Sequence, residues 1–187
     1  MRKSESKRRF GPEMLRIGTT MGVPEVLRDL GADPVQILAE VGIDQNLFDN
    51  PNNQISFMAR GRMIEHCARR TACPHFGLLV GQKAGLASFG LVGLLAQYST
   101  DIGTALSSLV RFMHLHVKGA TTALRLDSGL AAFEYQIYHA DVPGNDMVGE
   151  GAVAVAFNVM RDLSGDAWSP VEIRFAHRKP QSQRPYL

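Results

Sequence analysis

The middle of the sequence changes from a glycine-rich apolar segment to an amphipathic one. From Ile102 to Val117, apolar residues recur at spacings of three and four, which predicts a helix with one buried stripe. We place Asp101 in the first turn of this helix, where its negative charge favours the helix dipole, with Ser99 or Thr100 as the cap.

Residues 91–98, directly before that helix, show almost no polar face. Their pattern predicts a short helix that is apolar on all sides. Because a helix of this kind has to be covered by other elements, we expect residues 91–98 to be buried.

The first half of the chain carries several helix-start signals. Residues 14–30 look helical, but two glycines and a proline within them predict two short pieces rather than one helix. Asp33 is the predicted cap of a helix that ends near residue 41, and Ser56 is the predicted cap of a longer helix over residues 57–70. In these two helices we expect Val35, Leu38, Val41, Phe57, Ile64, Cys67 and Ala68 to face inward, and Arg60, Arg62, Arg69 and Arg70 to lie mostly elsewhere.

After residue 120 the period of the pattern changes to two. Residues 121–126 and 131–138 alternate on either side of a turn at residues 127–129, which predicts a hairpin with one wet face. Residues 149–163 predict a second helix that is apolar nearly all round, and residues 171–175 predict a third strand. The predicted fold is α+β: a helical N-terminal half, then a small antiparallel sheet (the hairpin plus one strand) packed with two buried helices.

The charge of the chain is unevenly distributed. The chain has 187 residues and a net charge of +2, but its first nine residues hold five basic residues against one glutamate, so the remainder is slightly acidic. We therefore predict a basic disordered tail over residues 1–12 and a single domain over residues 13–187. The alternative for the tail is contact with nucleic acid. The rest of the chain lacks the basic stripe that is typical of a nucleic-acid surface.

Targeting signals are missing from the pattern. No apolar run approaches the roughly 20 residues that span a bilayer, and no apolar segment follows the basic N-terminus as in a secretion signal. Two cysteines are too few for a disulfide framework. We therefore expect a cytoplasmic protein without a membrane partner.

Two groups of residues suggest chemistry that the spacing does not support. His66, Cys67, Cys73 and His75 follow no trusted metal-ligand pattern, so we predict buried thiols beside satisfied or exposed histidines. Gly85, Gly90 and Gly93 are interpreted as close-packing points or turns rather than as a phosphate cradle. Since no acid–base or nucleophile motif is present, we predict no cofactor and no enzymatic activity.

The candidates for ligand contact are mostly aromatic. The aromatic set consists of Phe89, Phe133, Tyr135, Phe157 and Trp168. Core packing is its favoured interpretation, and an apolar pocket lined by these side chains is the alternative. His114 and His116 point to nearly opposite sides of one helix. A core or surface histidine is the favoured interpretation of each, and the alternative is an inward His114 that hydrogen-bonds a bound molecule. The candidate ligand-binding residues are Phe89, Met113, His114, Phe133, Tyr135 and Trp168.

Five short segments occur in an order that is shared with one known family. They are Leu30-Gly31-Ala32-Asp33-Pro34, Val41-Gly42-Ile43, Pro74-His75-Phe76-Gly77-Leu78, Phe89-Gly90-Leu91-Val92-Gly93 and Val171-Glu172-Ile173-Arg174-Phe175-Ala176-His177. Over nearly the whole chain, the sequence resembles the N-terminal effector domain of AraC/XylS-type bacterial transcription regulators, in the subgroup labelled "arabinose-binding". It departs from the family at Cys73, where an acidic residue is usual.

The resemblance implies a regulator whose C-terminal part carries two helix-turn-helix units, and we expect this chain to be truncated before that DNA-binding domain. It implies a domain that senses a small-molecule effector, forms a homodimer and controls DNA binding through the missing part. The alternative is an oligomerisation or protein-interaction module without a ligand.

Overall fold

The computed structural model describes residues 13–138, 141–178 and 184–186. The predicted disordered tail, residues 1–12, lies outside these ranges. The helices of the described part are α1 (Val23–Asp29), α2 (Pro34–Ala39), α3 (Phe57–Arg70), α4 (Phe76–Gln82), α5 (Leu91–Gln97), α6 (Ile102–Phe112) and α7 (Asn145–Ser164), and its strands are β1 (Met14–Arg16), β2 (Gln54–Ser56), β3 (Ala120–Asp127) and β4 (Leu130–Ile137). Short 3₁₀ turns join several of them, and the predicted α+β class is confirmed.

The predicted hairpin is present. Strands β3 and β4 pair antiparallel from Ala120 opposite Ile137 to Asp127 opposite Leu130. Ser128 and Gly129 form a two-residue turn, and both have the positive φ angles that a tight hairpin turn of this kind requires. Phe133, Tyr135 and Ile137 pack against the core from one face, as their alternation predicts.

The first strand was not predicted. Met14–Arg16 lies inside a segment that looks helical by pattern, but it pairs antiparallel with β2, with Leu15 opposite Ile55. Leu15 also forms an isolated bridge with Val117 on its other side. Strand β1 therefore joins β2 to the segment that follows α6.

The capping predictions are confirmed for two helices and wrong for a third. The Ser56 hydroxyl accepts a hydrogen bond from the Ala59 N–H (3.1 Å) at the start of α3, and the Asp33 carboxylate accepts one from the Val35 N–H (2.9 Å) at the start of α2. At α6, Asp101 is itself the cap, accepting from the Thr104 N–H at 2.8 Å, so neither of the two residues before it takes that role. Helix α6 also ends at Phe112, earlier than its apolar stripe suggests, and a 3₁₀ turn follows.

One inward and one outward assignment are corrected. Val35 is exposed, because α2 buries the face that carries Pro34, Ile37 and Leu38 instead. Arg60 is buried in α3 rather than facing away from the core.

The predicted third strand is absent. Residues 171–175 have no regular secondary structure, and Val171 is 87% exposed. A strand needs a neighbour for its backbone hydrogen bonds, and within the described residues β3 and β4 pair only with each other. The alternation of Glu172 and Arg174 reflects an exposed ion pair, with 2.7 Å between Oε2 and Nη2.

Helix α5 is more exposed than its composition predicts. Its Val92, Gly93 and Ala96 are buried, but Leu91 is 72% exposed, and Tyr98, one residue past its end, is 84% exposed. Leu94 and Leu95 are also exposed. The expectation that other elements cover all of residues 91–98 is therefore wrong for this chain. We call Leu91, Leu94, Leu95 and Tyr98 the α5 face.

Helices α4 and α7 form the closest helix–helix contact of the core. A β-carbon on Gly77 would overlap the Met147 carbonyl oxygen, and one on Gly81 would overlap the Gly151 carbonyl oxygen. The two backbones approach this closely only because both α4 positions lack a side chain. Helix α7 begins four residues before its predicted start and crosses α4 along this seam.

Among the described helices, none combines the length and the apolar character needed to cross a bilayer.

We predict that Gly81→Ala destabilises the fold by about 1–3 kcal/mol, since the added methyl group forces the two backbones apart. Gly149→Ala is the matched control: Gly149 lies in α7 with open space around its α-carbon, so the substitution should raise the free energy of unfolding by about 0.5–1 kcal/mol through helix propensity. Urea denaturation measures both. Equal effects of the two substitutions would contradict the α4–α7 contact.

Candidate functional site

An open groove of about 420 Å³ lies where β1 meets the segment after α6. This volume suits a small molecule. The groove is lined by Met14, Leu15, Arg16, Gln54, His114, Leu115, His116 and Lys118. Four of these side chains are basic, so the groove is more polar and more cationic than the apolar pocket considered from sequence.

Backbone pairing places Arg16 beside His116. The Arg16 N–H donates to the His116 carbonyl oxygen at 3.2 Å, next to the Leu15–Val117 bridge. The Arg16 guanidinium donates from Nη1 to the Phe89 carbonyl oxygen at 3.0 Å and from Nη2 to the Asn52 side-chain oxygen. These contacts hold the guanidinium against the turn that precedes α5.

Gly90 makes room for that guanidinium. It has a φ of +58°, and a β-carbon at this position would lie 2.8 Å from Arg16 Nη2. The interpretation of Gly90 as a close-packing point is therefore confirmed, and the group it accommodates is a cation.

His116 forms the buried side of the groove. Its side chain is 5% exposed, and its ring lies 4.8 Å from the Phe89 ring, centroid to centroid. Neither ring nitrogen has a hydrogen-bond partner in the part of the chain that the structure describes. Burial, and then the charges of Arg16 and Arg60, lower the pKa of His116 from 6.5 to about 4, so the ring is neutral at neutral pH.

Arg60 is a buried cation whose charge acts on His116. It is 6% exposed, and its Cζ lies 4.4 Å from the centroid of the Phe57 ring in a cation–π contact. Its Nε and Nη2 atoms are buried without a hydrogen-bond partner from any described residue. No described carboxylate forms an ion pair with Arg60. Burying a guanidinium without an ion-pair partner destabilises the fold, because the cation–π contact with one ring offsets only part of the desolvation free energy.

The candidate ligand-binding residues do not all meet in one place. His114 lines the groove and is exposed, with Nδ1 bonded to the Arg111 carbonyl oxygen. Phe89 contacts the His116 ring, and Met113 is a core residue. The remaining three are half-buried: Phe133 and Tyr135 on the inner face of β4, and Trp168 against Phe157 of α7 at 5.8 Å between ring centroids. Their contact with a ligand stays a prediction.

Sequence reasoning missed Arg60 and gave His116 no role. The signal for Arg60 is its spacing, because it lies three residues after Phe57 and four before Ile64, on the buried stripe of α3. The opposite orientations predicted for His114 and His116 are observed, and His116 is the one that points inward.

The cysteine and histidine group behaves as ordinary packing. Cys67 is fully buried, and burial raises the pKa of its thiol to about 12, which disfavours the thiolate that a metal would need. His66 instead bonds Glu40, with 2.7 Å between Nε2 and Oε2. Within the described ranges, no three His, Cys, Asp or Glu side chains lie together as metal ligands would.

We predict that His116 makes the fold acid-sensitive. Because its pKa is about 4 when folded and near 6.5 when unfolded, the unfolded chain binds the proton first, and stability falls as the pH drops from about 6.5 to 4. The loss attributable to this residue is about 3 kcal/mol, complete below both values.

Urea denaturation at pH 7 and pH 4.5 of wild type, His116→Gln and His114→Gln measures this effect. His116→Gln should flatten the pH dependence, whereas His114→Gln, which changes an exposed ring, should keep the wild-type slope. A wild-type slope in His116→Gln would contradict the assignment.

Comparison with known proteins places this architecture in a family. Residues 31–187 match the family described as the arabinose-binding domain of AraC transcription regulators, N-terminal. The chain is 25% identical over 154 residues to the HTH-type transcriptional regulator VirS of Mycobacterium tuberculosis. This alignment covers 81% of this chain and 45% of VirS. It is also 19% identical over 177 residues to the ornithine utilization regulator of Pseudomonas aeruginosa. That alignment covers 95% of this chain and 52% of the regulator.

The chain thus spans about half the length of the curated relatives it matches. The family match extends over most of its residues, including both helices of the α4–α7 seam and the whole of α3. This chain belongs to the family of arabinose-binding N-terminal domains of AraC transcription regulators.

Proposed function

We propose that this chain is the non-enzymatic sensing part of a bacterial, cytoplasmic transcription regulator. It binds a small-molecule effector, forms a homodimer, and thereby controls sequence-specific DNA binding by a separate helix-turn-helix domain. The observation that carries the proposal is the family match over residues 31–187. The relatives support it, because one is an HTH-type regulator and this chain corresponds to about half of it.

The coupling between effector and DNA follows from linkage. A molecule that favours one arrangement of the dimer changes DNA affinity only by the difference in its affinity for the two arrangements, typically about 1–3 kcal/mol. A dimer also presents two DNA-binding units to two half-sites. The sensing domain needs no base-reading element of its own, which agrees with its slightly acidic charge beyond the first nine residues.

The α5 face is the surface we assign to dimerisation. Its four side chains repeat at helical spacings, and α5 carries no charged residue. Large exposed apolar groups grouped on one helix mark a surface that is covered in the assembled protein. In a homodimer with two-fold symmetry, the same face of each copy meets the other, so one apolar helix face is sufficient.

The alternative function, a protein-interaction module without a ligand, is favoured by the same exposed α5 face. The two functions differ in the groove, because only a sensor needs a cavity that a small molecule occupies.

We predict that the chain forms a dimer through the α5 face. Leu94→Arg should raise the dimer dissociation constant by at least about tenfold, because two buried arginines would face each other across the symmetry axis. Light scattering coupled to gel filtration over a concentration series measures the dimer dissociation constant. Leu126→Arg is the matched control, because Leu126 is an exposed leucine of the hairpin outside the α5 face. A monomeric wild type, or equal weakening by both variants, would contradict this interface.

A second experiment tests sensing. We expect at least one compound in a thermal-shift panel of amino acids, fatty acids and aromatic acids to raise the melting temperature of the chain, since a ligand that binds only the folded state stabilises it. Amino acids are included because one relative is an ornithine utilization regulator. No response to any compound would favour the interaction module. Preference of the chain alone for one operator over scrambled duplex at physiological salt would contradict the separate DNA-binding domain.

A further inference from the structure

We infer that Arg60, His116 and Arg16 form a binding site for the oxyanion group of a small molecule, a carboxylate or a phosphate, at the inner end of the groove. The inference rests on the proposed function only in identifying that molecule with the effector. Binding of an oxyanion is measurable on the chain itself, whether or not it regulates DNA binding.

The first step is a buried charge without a counter-charge. The Arg60 side chain carries a guanidinium, and at 6% exposure it is largely out of contact with water. Two of its three nitrogens, Nε and Nη2, have no hydrogen-bond partner among the described residues. Buried polar groups in proteins are satisfied in the large majority of cases, so unsatisfied donors on a buried cation indicate a partner beyond the described part of the chain, and we infer that this partner is a ligand.

The second step is that His116 also has buried hydrogen-bonding atoms that are unsatisfied. Both of its ring nitrogens are buried and lack a partner within the described ranges, although the side chain lines the groove. A neutral imidazole offers one N–H donor to a ligand oxygen. The charges of Arg16 and Arg60 both act on this ring.

The third step is that basic residues also surround the entrance. Lys118 and His114 line the groove, and both are exposed. Arg16 also lines it, with its guanidinium held by the Phe89 carbonyl and the Asn52 side chain. The positive charges of Arg16 and Lys118 raise the local concentration of anions at the groove.

The ligand class follows from the donors. A guanidinium presents paired N–H groups in a plane, which match the two oxygens of a carboxylate or of a phosphate. The Phe57 and Phe89 rings flank Arg60 and His116, respectively, so an oxyanion between the two side chains would be screened from water. In such surroundings a charge-assisted hydrogen bond is stronger than at the surface.

The test uses isothermal titration calorimetry and thermal shift on the 187-residue chain in a low-salt buffer free of carboxylate and phosphate. The probes are sodium octanoate, sodium benzoate and inorganic phosphate, with octanamide and benzamide as uncharged counterparts. We expect at least one anion to bind and its amide to bind much more weakly or not at all. Carboxylate binding without phosphate binding, or the reverse, identifies which oxyanion the site takes.

The key variant is Arg60→Met. It should weaken anion binding by about 10- to 100-fold, the effect of losing hydrogen bonds to a charged group. Without a probe, its melting temperature should equal or exceed that of wild type, because the variant removes an unpaired buried charge. A residue with a purely structural role would show the opposite change in stability. Arg62→Met is the matched control, since Arg62 is exposed on the same helix.

Arg60→Lys provides a second test should Arg60→Met fold poorly. It keeps the charge but loses the planar pair of donors, so anion binding should weaken while the fold is retained. Wild-type anion affinity in either folded variant, or no anion binding by wild type, overturns the inference. A neutral compound that stabilises wild type and Arg60→Met equally would also overturn it, yet leave sensing intact. Anion binding that has no effect on DNA binding by a full-length regulator would contradict sensing and leave the site intact.

Discussion

The contact between the backbones of α4 and α7 sets the position of nearly everything else in the domain. Because Gly77 and Gly81 allow α7 to approach so closely, polar side chains of α7 reach past the end of α4. Asn158 donates to the Ala84 carbonyl oxygen at 2.7 Å, and Asp162 accepts from the Leu86 N–H at 2.7 Å. These bonds fix the turn at residues 86–89, which leads into α5.

That turn connects the seam to the groove. Phe89 lies at its end, with its ring against His116 and its carbonyl oxygen accepting from Arg16. The wall of the groove is therefore held by α7, an element that contributes no residue to its lining. The α5 face follows the same turn directly, so the groove and the proposed dimer surface are attached to one rigid support. Only Gly90 separates Phe89 from the first residue of α5, so a displacement of Phe89 on ligand binding would also displace the start of α5.

Local signals in the sequence are sufficient for the elements that depend on local interactions. The start of α3 follows from Ser56 and an apolar stripe, and the hairpin follows from its alternation and from Gly129. The segment at residues 171–175 has the same alternation but no strand beside it, and β1 has a strand beside it without a clear pattern. Pairing over long distances decides both cases, and no short window of sequence contains it.

The candidate site was harder to predict for a different reason. An arginine on a helix is most often solvated, so Arg60 was assigned to the outside even though its spacing placed it on the buried stripe. His114 and His116 are distinguished only by the strand that pairs with the backbone around Val117. The exposure of α5 depends on which other elements pack against it, and the hydrophobicity of its own residues does not indicate that.

The bridge between Leu15 and Val117 joins positions about a hundred residues apart, and β2 adds a third segment from between them. The groove consequently has no precursor in any contiguous stretch of the chain, and it comes into existence only when three distant segments have met. Contacts between such distant segments form slowly, because the entropy of closing a long loop is lost before the contact stabilises the chain. A ligand of the groove would therefore bind only chains that have completed their tertiary structure, and not a nascent or partly collapsed chain.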